Sequence, residues 1–191
     1  MRTVRDLLIQ RAARLQEWPA LSAPGWGTLR YPAWRNRVEG VALGLMAGEP
    51  PVGSPFFSAT GGPWDWAAEV ACACCGLAWD PAGAPVPAEV LGGPAFNSED
   101  GRQPYHDREH DLDGDTLLAG ALNHEELLRR LARLNRVLGW DHTTAVRLSQ
   151  AGLAAPEVRA ALWSALYAGA HAVLGGMAAD PLDGDFRMFF Q

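Results

Sequence analysis

The stretch NHEELLRRLARLNRVL, residues 123–138, carries the most regular pattern in the chain. Leu127, Leu131, Leu134 and Leu138 recur three or four positions apart, which is the apolar stripe of an amphipathic helix. Asn123 stands where an N-cap belongs and Glu126 three positions later, so a capping box precedes the stripe. The pairs Glu125 with Arg129 and Glu126 with Arg130 add about 0.2–0.5 kcal/mol each, so burial of the leucines has to supply most of the stability.

Working toward the C-terminus, Asp141 is placed to cap a shorter helix ending at Gly152. Pro156 opens a further helix running to about Leu174. Val158, Leu162, Leu166 and Val173 line one side of it and Trp163, Ala170 and Leu174 another, the profile of a central helix packed by several neighbours. Glu157, Arg159, Tyr167 and His171 set it apart from a bilayer span.

Toward the N-terminus, Val4, Leu8, Ala12 and Leu15 predict a helix over residues 3–18, stopped by Pro19. Residues 21–32 lose all periodicity among Pro24, Gly25 and Gly27 and read as a loop. Trp34, Val38, Val41 and Leu45 mark a second helix ended by Gly48, Pro50 and Pro51. Trp66, Val70, Cys74 and Leu77 mark a third, with Ala68, Cys72 and Trp79 opposite, so this helix is expected to be buried on two sides. Pro81, Pro85, Pro87 and Pro94 then break regular structure across an acidic connection, residues 80–115, in which Val86 to Leu91 is a short strand candidate without a partner. The expectation is a mainly α protein: one helical-bundle domain over residues 1–191, about six helices joined by long Pro/Gly-rich connections.

Composition bounds the function. With 191 residues and 48% hydrophobic content the chain can build a full core, which excludes a mainly disordered protein. The formal net charge of −6 argues against a nucleic-acid binder or an anionic-membrane binder. All 16 basic residues are arginine. No apolar run has signal-peptide or membrane-span character, and Cys72, Cys74 and Cys75 crowd together unlike a secreted disulfide framework, so a cytoplasmic location is expected. Five tryptophans (Trp26, Trp34, Trp64, Trp66 and Trp79) gather in the first half and read mainly as large core contacts.

The chemically densest segment is residues 99–115, where seven acids oppose Arg102 and Arg108. Like charges so concentrated need water, arginines or a cation to screen them. If residues 106–111 are helical, His106 and His110 share a face and Asp107 or Asp111 can join them as ligands for zinc, iron or manganese; with Asp111 as the ligand, Glu109 or Asp107 is the general base on bound water. If the segment is open, Asp111, Asp113 and Asp115 offer a hard oxygen site for calcium or magnesium. The bland alternative is a solvated acidic loop whose aspartates cap turns. The triplet His124-Glu125-Glu126 has Leu128 where a zinc peptidase would need its second histidine. Leu-Asp-Gly-Asp occurs twice, at 112–115 and 182–185, and is explained by Asp-Gly turn propensity alone.

Two functions follow from this reading. The favoured one is a protein-binding or regulatory helical module, with Arg30, Arg35 and Arg37 as a basic surface for a protein partner, or self-association through that surface or the Phe-rich apolar tail, residues 180–191. The alternative is a metal-dependent hydrolase built on residues 106–115.

Overall fold

The computed structural model describes residues 2–92, 97–120, 122–149 and 155–175. In chain order the elements are α1 (Val4–Arg14), β1 (Pro19–Ala23), β2 (Gly27–Arg30), α2 (Tyr31–Met46), β3 (Pro55–Phe57), α3 (Pro63–Cys74), β4 (Ala78–Trp79) and β5 (Ala84–Pro85). There follow α4 (Glu99–Asp107), β6 (Leu117–Ala119), β7 (Leu122–Asn123), α5 (His124–Leu138), β8 (Ala145–Leu148), α6 (Pro156–Ala168) and β9 (His171–Leu174). The expectation of a helical bundle is therefore corrected: the fold is mixed α/β, with three sheets among the described residues.

The chain divides into two compact units. The first comprises Met1–Leu7, Arg35–Thr60 and Trp64–Leu127. Its centre is a three-stranded sheet in the order β4-β3-β5, in which β3 runs parallel to both neighbours. α3 connects β3 to β4, and its residues from Trp66 to Cys74 are all buried, as expected for a helix covered on two sides. Residues 80–115 are less irregular than the prolines imply, because α4 forms within them from the Ser98 N-cap and accommodates Pro104. A single glycine permits that packing: a Cβ on Gly101 would lie 1.8 Å from the Leu43 backbone oxygen on α2.

The second unit comprises Leu8–Trp34, Gly61–Pro63 and Leu128–Gln191. It is built on a four-stranded sheet in the order β2-β1-β9-β8. The segment read as a loop over residues 21–32 is the β1–β2 hairpin, its turn made by Gly25 (φ 76°) and Gly27 (φ 65°). β9 lies parallel to β1 and to β8. Side chains alternate along these strands, with Leu21, Val146, Leu148, Ala172 and Leu174 buried and Arg147 exposed. α6 is the central helix its composition implies, buried continuously from Ala160 to Leu166.

Two predicted helices are replaced here. The one running to Leu174 stops at Ala168, because Gly169 takes the left-handed conformation (φ 82°) and both its N–H and that of Ala170 return to the Ala165 carbonyl. The apolar run His171–Leu174 then serves as a strand. The helix predicted from Asp141 is a turn instead. Asp141 Oδ1 accepts from the Thr143 N–H (2.8 Å) and hydroxyl (2.6 Å), and the β-branched Thr143, Thr144 and Val146 lead into β8. By contrast α5 forms where its stripe places it, with Leu127, Leu131 and Leu134 buried and Asn123 Oδ1 accepting from the Glu126 N–H at 2.8 Å. The apolar tail over 180–191, the second Leu-Asp-Gly-Asp and the Gly152 turn lie outside the described residues.

Candidate ligand site

In an open parallel sheet, ligands settle beyond the carboxyl ends of the strands. At that end β3 continues along the chain as Ser58-Ala59-Thr60-Gly61-Gly62 into α3, a strand, glycine-bearing loop and helix in the order that suits an anion. The chain supplies its own anion there. Asp65 Oδ1 accepts from Ser58 Oγ (2.6 Å), the Thr60 N–H (2.9 Å) and Thr60 Oγ1 (2.8 Å). A buried carboxylate in the first turn of α3 thus uses donors that a phosphate would need.

The first unit also contains a cavity of about 720 Å³. Leu45, Phe56 and Val90 give it apolar walls, and Glu89, Glu99 and Asp100 stand in its lining. Among the described lining residues there is no basic side chain.

A second polar cluster in this unit is buried. Arg5 is covered, donates to the Tyr105 carbonyl at 2.8 Å, sits 4.0 Å above the Tyr105 ring and pairs with Glu109 at 3.4 Å. Burial pushes the Tyr105 phenol upward. His124 is fully buried and its Nδ1 accepts from the Val4 N–H at 3.1 Å. Its Nε2 has no hydrogen-bond partner among the described residues. Burial lowers the imidazole to about 4, against the opposing pull of Asp113 and Asp6. No local signal in the sequence joins Arg5, Tyr105 and His124, since what brings them together is long-range packing. Asp65 did have a local signal, an acid in the first turn of a helix opened by Pro63.

The acidic segment behaves differently. His106, Asp107, Glu109, His110, Asp111, Asp113 and Asp115 are all exposed. His106 and Asp107 end α4, and Glu109, His110 and Asp111 belong to the 3₁₀ turn Arg108–Asp111. Among the described residues no three His, Cys, Asp or Glu side chains converge where a metal ion would sit. Asp107 instead accepts from Gln103 Nε2 at 2.7 Å, and Asp113 Oδ1 caps a turn by accepting from the Asp115 N–H at 2.9 Å.

The arginines singled out are engaged within the chain. Arg30 pairs with Glu17, Arg35 with Glu39 at 2.8 Å, and Arg37 lies 5.4 Å from the centre of the Trp64 ring. Trp34, Trp66 and Trp79 are core residues. The three cysteines are buried, and burial raises all three thiols, that of Cys75 to about 12, which disfavours the thiolate. No helix among the described residues is long and apolar enough to cross a membrane.

Comparison with solved structures decides what this arrangement is similar to. VinN in complex with L-aspartate matches 99% of this chain with a TM-score of 0.68 at 14% identity, over 66% of its own length. The N-terminal subdomain of Klebsiella oxytoca NpsA matches 93% of this chain with a TM-score of 0.62 at 16% identity, over 55% of its own length. An artificially fused adenylation–PCP di-domain, NpsA-ThdA, matches 92% with a TM-score of 0.61 at 13% identity, over 43% of its length. The fold is adenylation-domain-like. It overturns both functions expected from the sequence, the helical binding module and the metal-dependent hydrolase, because neither rests on this architecture. The chain spans between about two fifths and two thirds of these structures. No known family matches the sequence, and no curated protein does.

Proposed function

We propose that this chain binds a small carboxylic acid, or the acyl adenylate formed from it, as the corresponding subdomain of an adenylate-forming enzyme does. One observation carries this reading: the backbone likeness extends over 99% of the chain to a structure holding L-aspartate. A related structure, covering 93% of the chain, is the NpsA subdomain with 3-hydroxybenzoyl-AMSN. A cytoplasmic location suits it, since a nucleotide-derived ligand and three reduced cysteines belong there.

A second reading, binding without phosphate transfer, is favoured by specific features of this sequence. The chain has no lysine to grip a phosphate. β7 runs directly into α5 at His124, Gly120 is the one glycine between β6 and β7, and the Asp65 carboxylate takes the Ser58 and Thr60 donors of the loop before α3. The two readings separate in one pair of experiments. Calorimetric titration with 3-hydroxybenzoyl-AMSN and with L-aspartate measures binding, and ATP–pyrophosphate exchange over a panel of amino and aryl acids measures activation. Binding with exchange supports the first reading, binding without exchange the second, and absence of binding overturns both.

A further inference from the structure

The four-stranded sheet of the second unit has one face turned away from its buried side chains, and three strands bring hydroxyl, imidazole and hydroxyl into line on it. Ser22 on β1 lies between Thr28 on β2, with Oγ to Oγ1 2.7 Å, and His171 on β9, with Oγ to Nε2 2.8 Å. The register accounts for this meeting. Ser22 is opposite Thr28 in the antiparallel ladder and opposite Val173 in the parallel one, and His171, two positions before Val173, shares that face. Arg147 on β8 is also opposite Val173 and so joins the same face. Ser22 and His171 are half-buried while Thr28 and Arg147 are exposed, which leaves the serine within reach of solvent.

The protonation pattern follows from the environment. Burial, with a smaller contribution from the Arg147 charge, holds His171 below the ordinary imidazole range, so its neutral form prevails at pH 7. With Nε2 as acceptor, the Ser22 hydroxyl donates to it and the Thr28 hydroxyl donates to Ser22. Each hydroxyl then donates once, and the serine lone pair stays available. A hydroxyl and a base at this separation meet the geometric requirement for an activated nucleophile.

We propose that Ser22 is a nucleophile activated by His171 that accepts the acyl group of an activated ester. Ser22 Oγ attacks the carbonyl carbon while its proton passes to His171 Nε2. The ester C–O bond then breaks, the departing oxygen takes that proton, and an O-acyl serine remains. Water attacks the acyl carbonyl, giving one proton to Nε2. That proton passes to Ser22 Oγ as its bond to the acyl carbon breaks, and the carboxylic acid leaves. Arg147 places a positive charge on the face where the carbonyl oxygen becomes negative. These steps use residues of the second unit alone and stand apart from the adenylate-binding reading, so either can fail without the other.

The test uses the full chain and p-nitrophenyl acetate, followed by nitrophenol release, intact mass and peptide mapping. One acetyl group on Ser22 is expected, and Ser22→Ala abolishes it. His171→Gln keeps a hydrogen-bond acceptor beside the serine but removes the base, so acylation is expected to slow about 100-fold with Tm unchanged. Should that variant unfold, His171→Asn takes its place with the same expectation. Acetylation at another residue, nitrophenol release no faster than in buffer or unchanged by Ser22→Ala, or an unchanged rate in the histidine variant overturns the proposal.

Discussion

Residues 99–111 present two strips that differ in almost everything. One strip, Gly101, Tyr105 and Arg108, is buried: Gly101 rests against the α2 backbone, Tyr105 lies under Arg5, and Arg108 donates to the Pro50 carbonyl. The other, with His106, Asp107, Glu109, His110 and Asp111, is in water. Formal charge and imidazoles drew the sequence reading to the second strip. The histidines repeat the lesson, since exposed His106 and His110 looked functional while buried His124 looked like a failed zinc motif. Chemically rich residues in a run of like charge stay apart in solvent, whereas polar groups under strong constraint sit where the chain closes on them.

The sharpest way to break this contrast is Gly101→Ala. The new Cβ meets backbone, so neither partner can rotate away, and a loss of about 3 kcal/mol or more is expected by urea denaturation. A loss under about 1 kcal/mol would mean that α4 slides freely and that its buried strip is not fixed.

Next comes pH. His124 binds a proton at about 4 when folded and near the ordinary imidazole value of 6.5 when unfolded, so the unfolded chain holds more protons between those values. Its contribution is complete above 6.5 and is lost as pH falls toward 4, a total of roughly 3 kcal/mol. His124→Asn, which can still accept from Val4, is expected to flatten the stability curve over that window. A curve identical to that of the wild type would place the proton elsewhere.

Arg5→Met keeps an apolar stem and removes the bond to the Tyr105 carbonyl, the cation–π contact and the Glu109 pair. A loss of about 2 kcal/mol is expected in chemical denaturation. Glu109 is 64% exposed, so Glu109→Gln removes only the last and weakest of these. Smallest of all, His110→Ala and Asp111→Asn are expected to stay within about 0.5 kcal/mol of the wild type in the same measurement. A larger effect from either would restore a structural role to the exposed strip.

What sequence could show depended on element length and partner distance. α5 announces itself because a fifteen-residue helix repeats its stripe and carries its own Asn123 cap. β9 is four residues long, and His-Ala-Val-Leu fits the end of an apolar helix as well as it fits a strand. Its strand character comes from β1 and β8, which are remote in sequence, and from the left-handed turn at Gly169. The β1–β2 hairpin had its glycines in view, but the two-residue strands β4 and β5 have no periodicity to find. For the candidate sites, residue chemistry was legible and convergence was not. Nothing local to Ser22 or Thr28 points to His171, and nothing near Val4 points to His124.

By itself the amino-acid order settled the helices that bury a continuous stripe, the acidic charge, the lack of lysine and the buried character of α3 and α6. These depend on neighbours within a few turns, or on composition. Tertiary structure alone decided that the chain is α/β, which carboxylates fill loops and which stand in water, and which hydroxyl meets an imidazole. Strand pairing and side-chain convergence are set by residues far apart in the chain, and their free energy exists only once the backbone has brought them together.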